Sequence, residues 1–465
     1  MKLWMADGRW QMAHACWFQA ALRFCLGTLL VATGCVRHVK EPAGIIFDQP
    51  RADSAAVRPA QTDIPRDEAP AARGEGWRDV RVALATAAQS VPLDATGAWR
   101  LFDGRNAELL RARAGDSWSV ERRGTQLRAT RDGGGATSWA QGPLTLRPNR
   151  DDATAIFAGH HYRGAIRVVA SDSGLVVVNV LSVEQYLRGV VPLEIGVRSP
   201  NEQAAVEAQA IAARSYAWVR LAASDQNASR NPSFDLLSGV TDQVYGGADA
   251  ERPAADRAVQ ATRSLVLRYN GRVVSAPYHS ACGGETAAPD EVWRGAAEPY
   301  LRRVSDRVPG SDRSYCDAAP RFTWTRSITG EELDAAVRSY LASYAQVGAG
   351  GPGSVRSVSI DTRTSSGRVG RLTILTDRGS YALRGNDTRF VLRTPGGEIL
   401  NSTYFSLDAE ARHDGGLSRI VIHGRGYGHG VGMCQWGAIG RARAGHSARA
   451  ILFAYYPGVT IGTVN

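Results

Sequence analysis

Lysine is almost missing from this chain: Lys2 and Lys40 are the only two, so the excess of 55 basic over 45 acidic residues is carried by arginine. A Schiff base or a lysine nucleophile is therefore excluded for everything beyond Lys40. Methionine (four) and cysteine (six) are also scarce. No stretch interleaves Lys/Arg runs with aromatics in the way a nucleic-acid groove requires, so nucleic acid is not an expected partner. A net charge of +10 instead suits an anionic lipid or an acidic polysaccharide.

What is present divides into stretches. Arg23 precedes an apolar run from Phe24 to Ala32, followed by Thr33, Gly34 and Cys35. A positive flank, a short apolar core and small residues describe a secretory signal over 1–34, too short to anchor by spanning a bilayer. The polar start from Met1 to Gln11 points to Met12 as an alternative initiator. LLVATGC resembles a bacterial lipobox, with Cys35 as the lipidated residue; the alternative is an ordinary cleaved signal with Cys35 incidental. The expectation is an exported protein of the periplasm or cell envelope, touching a membrane only through a lipid anchor. Residues 35–76, rich in Ala, Pro, Asp and Arg, read as a flexible linker.

Residues 77–160 read as a small β-rich domain, with short apolar runs at Val80 to Leu84, Trp99 to Phe102, Trp118 to Val120, Gln126 to Ala129 and Leu144 to Leu146. From Trp77 to Arg147 it holds no His and no Cys, so no chemistry is expected there. Residues 161–465 mix hairpins and helices. Gly164 to Ala170 and Gly174 to Val180 form one hairpin signal, and Asn270-Gly271 joins two further strands. The spacing predicts helices near 254–262, 330–344 and 435–444. The predicted fold class is α+β: a strand-rich region with a few packed helices, preceded by the small all-β domain.

The chain's centre of interest is GVVPLEIGVRSPNEQAAVEAQAIAARSYAWV, Gly189 to Val219. Ser199, Pro200 and Glu202 predict a helix start at Pro200 with a capping box. Ala204, Ala208, Ile211, Ser215, Trp218, Val219 and Ala222 make a packing stripe, and Gln203, Glu207 and Arg214 fall on the other face. Before this helix, a short one capped by Ser182 is expected to reach Leu187, leaving Glu194 in a loop between Leu193 and Ile195. A carboxyl among aliphatic residues is liable to desolvation, which raises its pKa toward the range of a general acid. The plainer alternative is a solvated loop carboxylate.

If Cys16 and Cys25 leave with the signal and Cys35 is lipidated, three cysteines remain, and three cannot all pair. Cys282, Cys316 and Cys434 with His279 make a Cys₃His set suited to structural zinc; one disulfide, Cys282 with Cys316, plus a free thiol is the alternative. A Cys434–His429 nucleophilic pair is a third, without an orienting group. His429 itself lies in a glycine-dense run, HGRGYGHGVGMCQWGA, that permits unusual backbone conformations and close ligand approach.

In order along the chain, VNVLSVEQYLRGVVPLE, AVEAQAIAARSYAW, TDQVYGG, AVQATRSLVL, YHSACGGET, VWRG with PYLRRV, LRGNDTRF, and GRGYGHGVGMCQWGA with the terminal ILFAYYPGV resemble the stage II sporulation protein D (SpoIID/LytB) family over about Tyr162 to Val459. The resemblance implies a cell-wall protein acting on peptidoglycan glycan strands, similar to lytic transglycosylases, or a non-catalytic partner that enhances a cell-wall amidase. It implies that Glu194 is the catalytic acid, that Arg214 lies near the glycan, and that Gln243, Tyr245, His429 and Gln435 contribute to substrate binding. No cofactor is implied for catalysis. Two positions depart: Glu207 stands where members often carry Lys, and Ile195-Gly196 replaces Met-Pro.

Overall fold

A computed structural model describes residues 79–226, 233–413 and 415–464. The expected signal (1–34), linker (35–76) and lipidated Cys35 lie outside the described residues. The chain is α+β and strand-rich, with eight helices among the described residues: α1 (Val183–Ile195), α2 (Gln203–Gln226), α3 (Pro253–Ala261), α4 (Pro289–Val292), α5 (Gly330–Tyr340), α6 (Asp387–Val391), α7 (Gln435–Arg443) and α8 (Ala448–Tyr455). None is long and apolar enough to cross a membrane.

A seven-stranded sheet runs in the order Leu236–Leu237, Asp79–Ala88, Gly174–Ser182, Ala165–Ser171, Leu144–Pro148, Trp99–Phe102 and Glu108–Ala112. Asp79 pairs with Ser182 and Ile166 with Leu146, so hydrogen bonds cross the boundary expected near residue 160. The all-β segment thus shares its main sheet with the region after it. A six-stranded sheet from Val91–Ala95 to His160–Tyr162 completes this part.

A second core gathers Ile328, Leu333, Val337, Leu372, Ile374, Phe405 and Ile422 under two three-stranded sheets, Thr323–Thr329 with Leu417–Arg425 and Phe405–Ala411, and Val355–Arg363 with Val369–Thr376 and Ser380–Arg384. Asn270 (φ 48°) and Gly271 (φ 75°) turn the predicted hairpin.

Helix α2 lies at the centre. It packs against α1, α3, α7, α8 and the strand Leu265–Tyr269, and every residue from Ala205 to Ser215 is buried. The expected polar face of Glu207 and Arg214 therefore does not exist as a surface: both are under 4 % exposed. Alanine on all sides lets four helices approach at once, where larger side chains would hold them off. Its entry is a short 3-10 turn, Pro200–Glu202, with Glu202 accepting from the Ser199 backbone N–H at 3.0 Å; the Ser199 hydroxyl turns to Asn201 instead of completing the box.

Candidate functional site

Helix α1 begins at Ser182, whose hydroxyl accepts from the Gln185 N–H at 3.3 Å. It does not stop at Leu187 as expected but runs through Pro192 to Ile195. Pro192 falls in the final turn, where the missing N–H breaks only one bond, and Gly196 (φ 76°) then ends the helix with its N–H on the Pro192 carbonyl at 3.0 Å. Glu194 is thus a helical residue at the C-terminal end of α1, not a loop residue. The partial negative charge of that helix end disfavours a carboxylate there.

The Glu194 carboxyl is half-buried and accepts the Val244 backbone N–H at 2.9 Å. The Tyr278 hydroxyl and the Gln435 amide also hydrogen-bond to it. Burial raises its pKa to about 7, against the opposing pull of these three donors. Among the described residues no cation takes part. At neutral pH this carboxyl is therefore shared between acid and base forms, the condition for moving a proton in both directions.

The donors are themselves held in place. Tyr186 donates to Gln243 Oε1 (3.1 Å), and Gln243 Nε2 donates to the Tyr278 hydroxyl (2.8 Å), leaving that hydroxyl's proton for Glu194. Gln435, first residue of α7, also donates to Gln209 on α2 at 3.3 Å. Gln243 and Gln435 are therefore positioning groups around the acid. Tyr245 is buried, donates to Asn179 at 2.6 Å and packs its ring tilted against Tyr186 at 5.1 Å, so it supports the scaffold and does not face a ligand.

Arg214 is not at this site. It is 1 % exposed and grips Glu184, in the first turn of α1, through two 2.8 Å bonds, and it donates to the Leu265 carbonyl at 3.0 Å. The expectation that it touches a glycan is corrected: its guanidinium is used up inside the core.

His429 accepts the Val431 N–H on Nδ1 (3.1 Å), so Nε2 carries the proton and donates to the Tyr278 carbonyl (2.9 Å). Burial, with Arg389 nearby, pushes its pKa down to about 3. It is a neutral spacer that fixes the strand bearing Tyr278, and with both nitrogens committed it does not form the nucleophilic pair with Cys434. The glycines around it serve the chain's own packing: a Cβ at Gly428 would sit 2.8 Å from the His279 Cβ, and one at Gly432 would sit 2.0 Å from the Pro277 carbonyl oxygen. The close approach they permit is to backbone.

Among the described residues five large apolar side chains are exposed: Leu193, Val197, Val240, Trp293 and Leu375. Leu193 and Val197 flank Glu194 within three residues in sequence, Val240 lies in the loop that supplies Val244, and the Trp293 ring packs at a 45° tilt, 5.0 Å from His429, whose Nε2 holds the Tyr278 carbonyl. Tyr278 and Trp293 both fall in motifs that carry the family resemblance, YHSACGGET and VWRG, yet sequence pattern assigned neither a role, because their neighbours come from distant segments.

His279 stays apart from the cysteines. It is buried, hydrogen-bonds to the Val431 carbonyl at 3.2 Å, and the cluster that converges is Cys282, Cys316, Cys434 and Asp306. The expected Cys₃His set is corrected to Cys₃Asp; Asp306 was missed because it lies 24 residues from Cys282 in an unpatterned loop.

The chemical feature of this site is a carboxyl at a helix end of an α+β scaffold, hydrogen-bonded by neutral donors. The model for stage II sporulation protein matches residues 171–269, and that for a domain of unknown function (DUF8618) matches 311–432. An uncharacterized protein of Brachyspira hyodysenteriae is 32% identical over 66% of this chain and 74% of its own length. Stage II sporulation protein D of Bacillus amyloliquefaciens is 30% identical over 60% of this chain and 74% of its own. The amidase enhancer of Bacillus subtilis is 31% identical over 59% of this chain, a match spanning only 40% of that relative. The chain belongs to the stage II sporulation protein D family.

Proposed function

We propose that the protein is an exported cell-wall enzyme that cleaves peptidoglycan glycan strands as a lytic transglycosylase, with Glu194 as the single acid and base. The observation that carries this reading is a carboxyl with a pKa of about 7 and no cation beside it. A hydrolase that delivers water needs two carboxyl groups at a set separation. A transglycosylase uses the sugar's own 6-hydroxyl. Glu194 gives its proton to the glycosidic oxygen as the bond from that oxygen to C1 breaks. The resulting carboxylate, held by Val244, Tyr278 and Gln435, then takes the 6-hydroxyl proton as O6 bonds to C1. The product is a 1,6-anhydromuramic end, and Glu194 is returned to its acid form.

Leu193, Val197, Val240 and Trp293 offer the apolar faces on which pyranose rings rest. Residence in the periplasm or cell envelope, with Cys35 as lipid anchor, belongs to the same proposal.

A second reading is favoured by the relative named as an amidase enhancer: the same surface binds glycan without cutting it and presents it to a cell-wall amidase. Incubating purified protein with strands stripped of their peptides separates the two. New 1,6-anhydromuramic ends that vanish in Glu194→Gln support the enzyme; saturable binding with no new ends supports the partner.

A further inference from the structure

Three cysteines and one carboxylate from distant segments meet in the interior. The ligand atoms of Cys282, Asp306, Cys316 and Cys434 all lie within 4.8 Å of one another, and all four residues are buried. Cys282 Sγ is 3.4 Å from Cys316 Sγ and 3.6 Å from Asp306 Oδ2. A tetrahedron drawn around zinc with ordinary zinc–sulfur and zinc–oxygen bonds has edges of about 3.5–3.8 Å. Two of the six edges are already close to that length, and none exceeds 4.8 Å, so a small inward shift would complete it.

The surroundings are those of a thiolate cluster. Cys434 Sγ accepts the backbone N–H of Cys282 (3.2 Å) and of Gly437 (3.3 Å), bonds that favour a negatively charged sulfur. Asp306 Oδ1 accepts the Tyr455 hydroxyl (2.6 Å) and Arg441 (3.3 Å), which fixes the carboxylate and turns Oδ2 toward the sulfurs. Gly437 leaves the space free: a Cβ there would stand 2.4 Å from Asp306 Oδ2.

A second arginine, Arg368, is 1 % exposed, donates to the Cys282 carbonyl at 2.9 Å, and leaves Nε and Nη1 without a hydrogen-bond partner. It has no carboxylate in ion-pair range among the described residues. A buried cation without counter-charge is costly. Three thiolates and one carboxylate around a divalent cation leave two negative charges, the number that Arg368 and Arg441 balance.

We propose that Cys282, Cys316, Cys434 and Asp306 hold one structural zinc ion, three thiol protons passing to solvent as the metal binds. The site clamps four segments: the turn after Tyr278–His279, the loop holding Asp306, the turn holding Cys316, and the start of α7. With four protein ligands no position is left open, so its role is to hold the fold and not to activate water.

The full chain is produced without a polyhistidine tag and tested for metal content by elemental analysis, independently of any glycan assay. The expected result is about one zinc per chain, together with thiols that resist alkylation until the metal is removed. Replacement by cobalt(II) should give thiolate-to-metal charge-transfer bands and tetrahedral visible bands. Asp306→Asn should weaken cobalt binding at least tenfold, while Asp306→Cys should keep the metal and strengthen the charge-transfer band. A metal-free protein whose mass shows a Cys282–Cys316 disulfide overturns the proposal, as does a cobalt spectrum unchanged by both substitutions.

Discussion

Glu184 and Glu194 stand at opposite ends of the same helix, about 15 Å apart along its axis, and only the first has a cation. Glu184 lies in the first turn, where the helix end favours an anion, and Arg214 holds it through two 2.8 Å bonds. Glu194 lies in the last turn, where the helix end opposes charge, and has neutral donors alone. One helix thus carries a carboxyl paired with an arginine and a carboxyl whose pKa burial raises to about 7.

The Glu184–Arg214 pair supports the fold and not the chemistry. Arg214→Ala leaves a carboxylate buried and unpaired, and should lower unfolding stability by about 3–5 kcal/mol in urea titration. Glu184→Gln with Arg214→Leu should lose less than the single change. A large loss of glycan affinity in the folded Arg214 variant would return that residue to the binding surface.

Strand cleavage should depend on the acid form of Glu194. The rate is expected to be flat below about pH 7 and to fall tenfold per unit above it. Tyr278→Phe removes a donor that stabilises the carboxylate, so the falling limb should move to higher pH by up to about one unit while the maximal rate drops. Initial rates of anhydromuramic end formation across pH give both numbers.

The same carboxyl should weaken the fold. Its folded pKa is raised above the ordinary 4.5, so the native state holds the proton more tightly than the unfolded chain between pH 4.5 and 7. Stability from this group is full below that window and is lost as pH rises through it, by about 3 kcal/mol. Glu194→Gln should therefore raise the melting temperature at pH 8 and leave it unchanged at pH 4. An equal effect at both pH values contradicts the desolvation account.

Trp293 is 38 % exposed and rests on His429, so its removal should spare the fold. Trp293→Ala is expected to weaken binding of stripped glycan strands by about 1–3 kcal/mol, read as a 5- to 150-fold rise in Kd, with the melting temperature nearly unchanged.

Local signals in the sequence reached the structure wherever the cause was local. Ser182 caps α1, Asn270-Gly271 turns its hairpin, and the apolar run from Gly174 to Val180 is a buried sheet strand. The liability of Glu194 to desolvation was visible in Leu193 and Ile195. What the pattern hid depends on the third dimension. Pro192 reads as a helix breaker, yet in a final turn it removes a single bond. Glu207 and Arg214 read as a polar face, yet four neighbours enclose α2 and Arg214 finds Glu184 thirty residues away. Asp306 has no local mark at all, since its role comes from three sulfurs that reach it through folding.

Cys434 and Gln435 are consecutive: one sulfur belongs to the buried cluster, and the next side chain reaches the Glu194 carboxyl. The proposed metal clamp and the proposed reaction centre are therefore joined by a single peptide link, so loosening the first would shift the second. On those two proposals, a protein stripped of its ion should lose stability and also run with a blurred pH profile, as one of the three donors around the acid loses its aim.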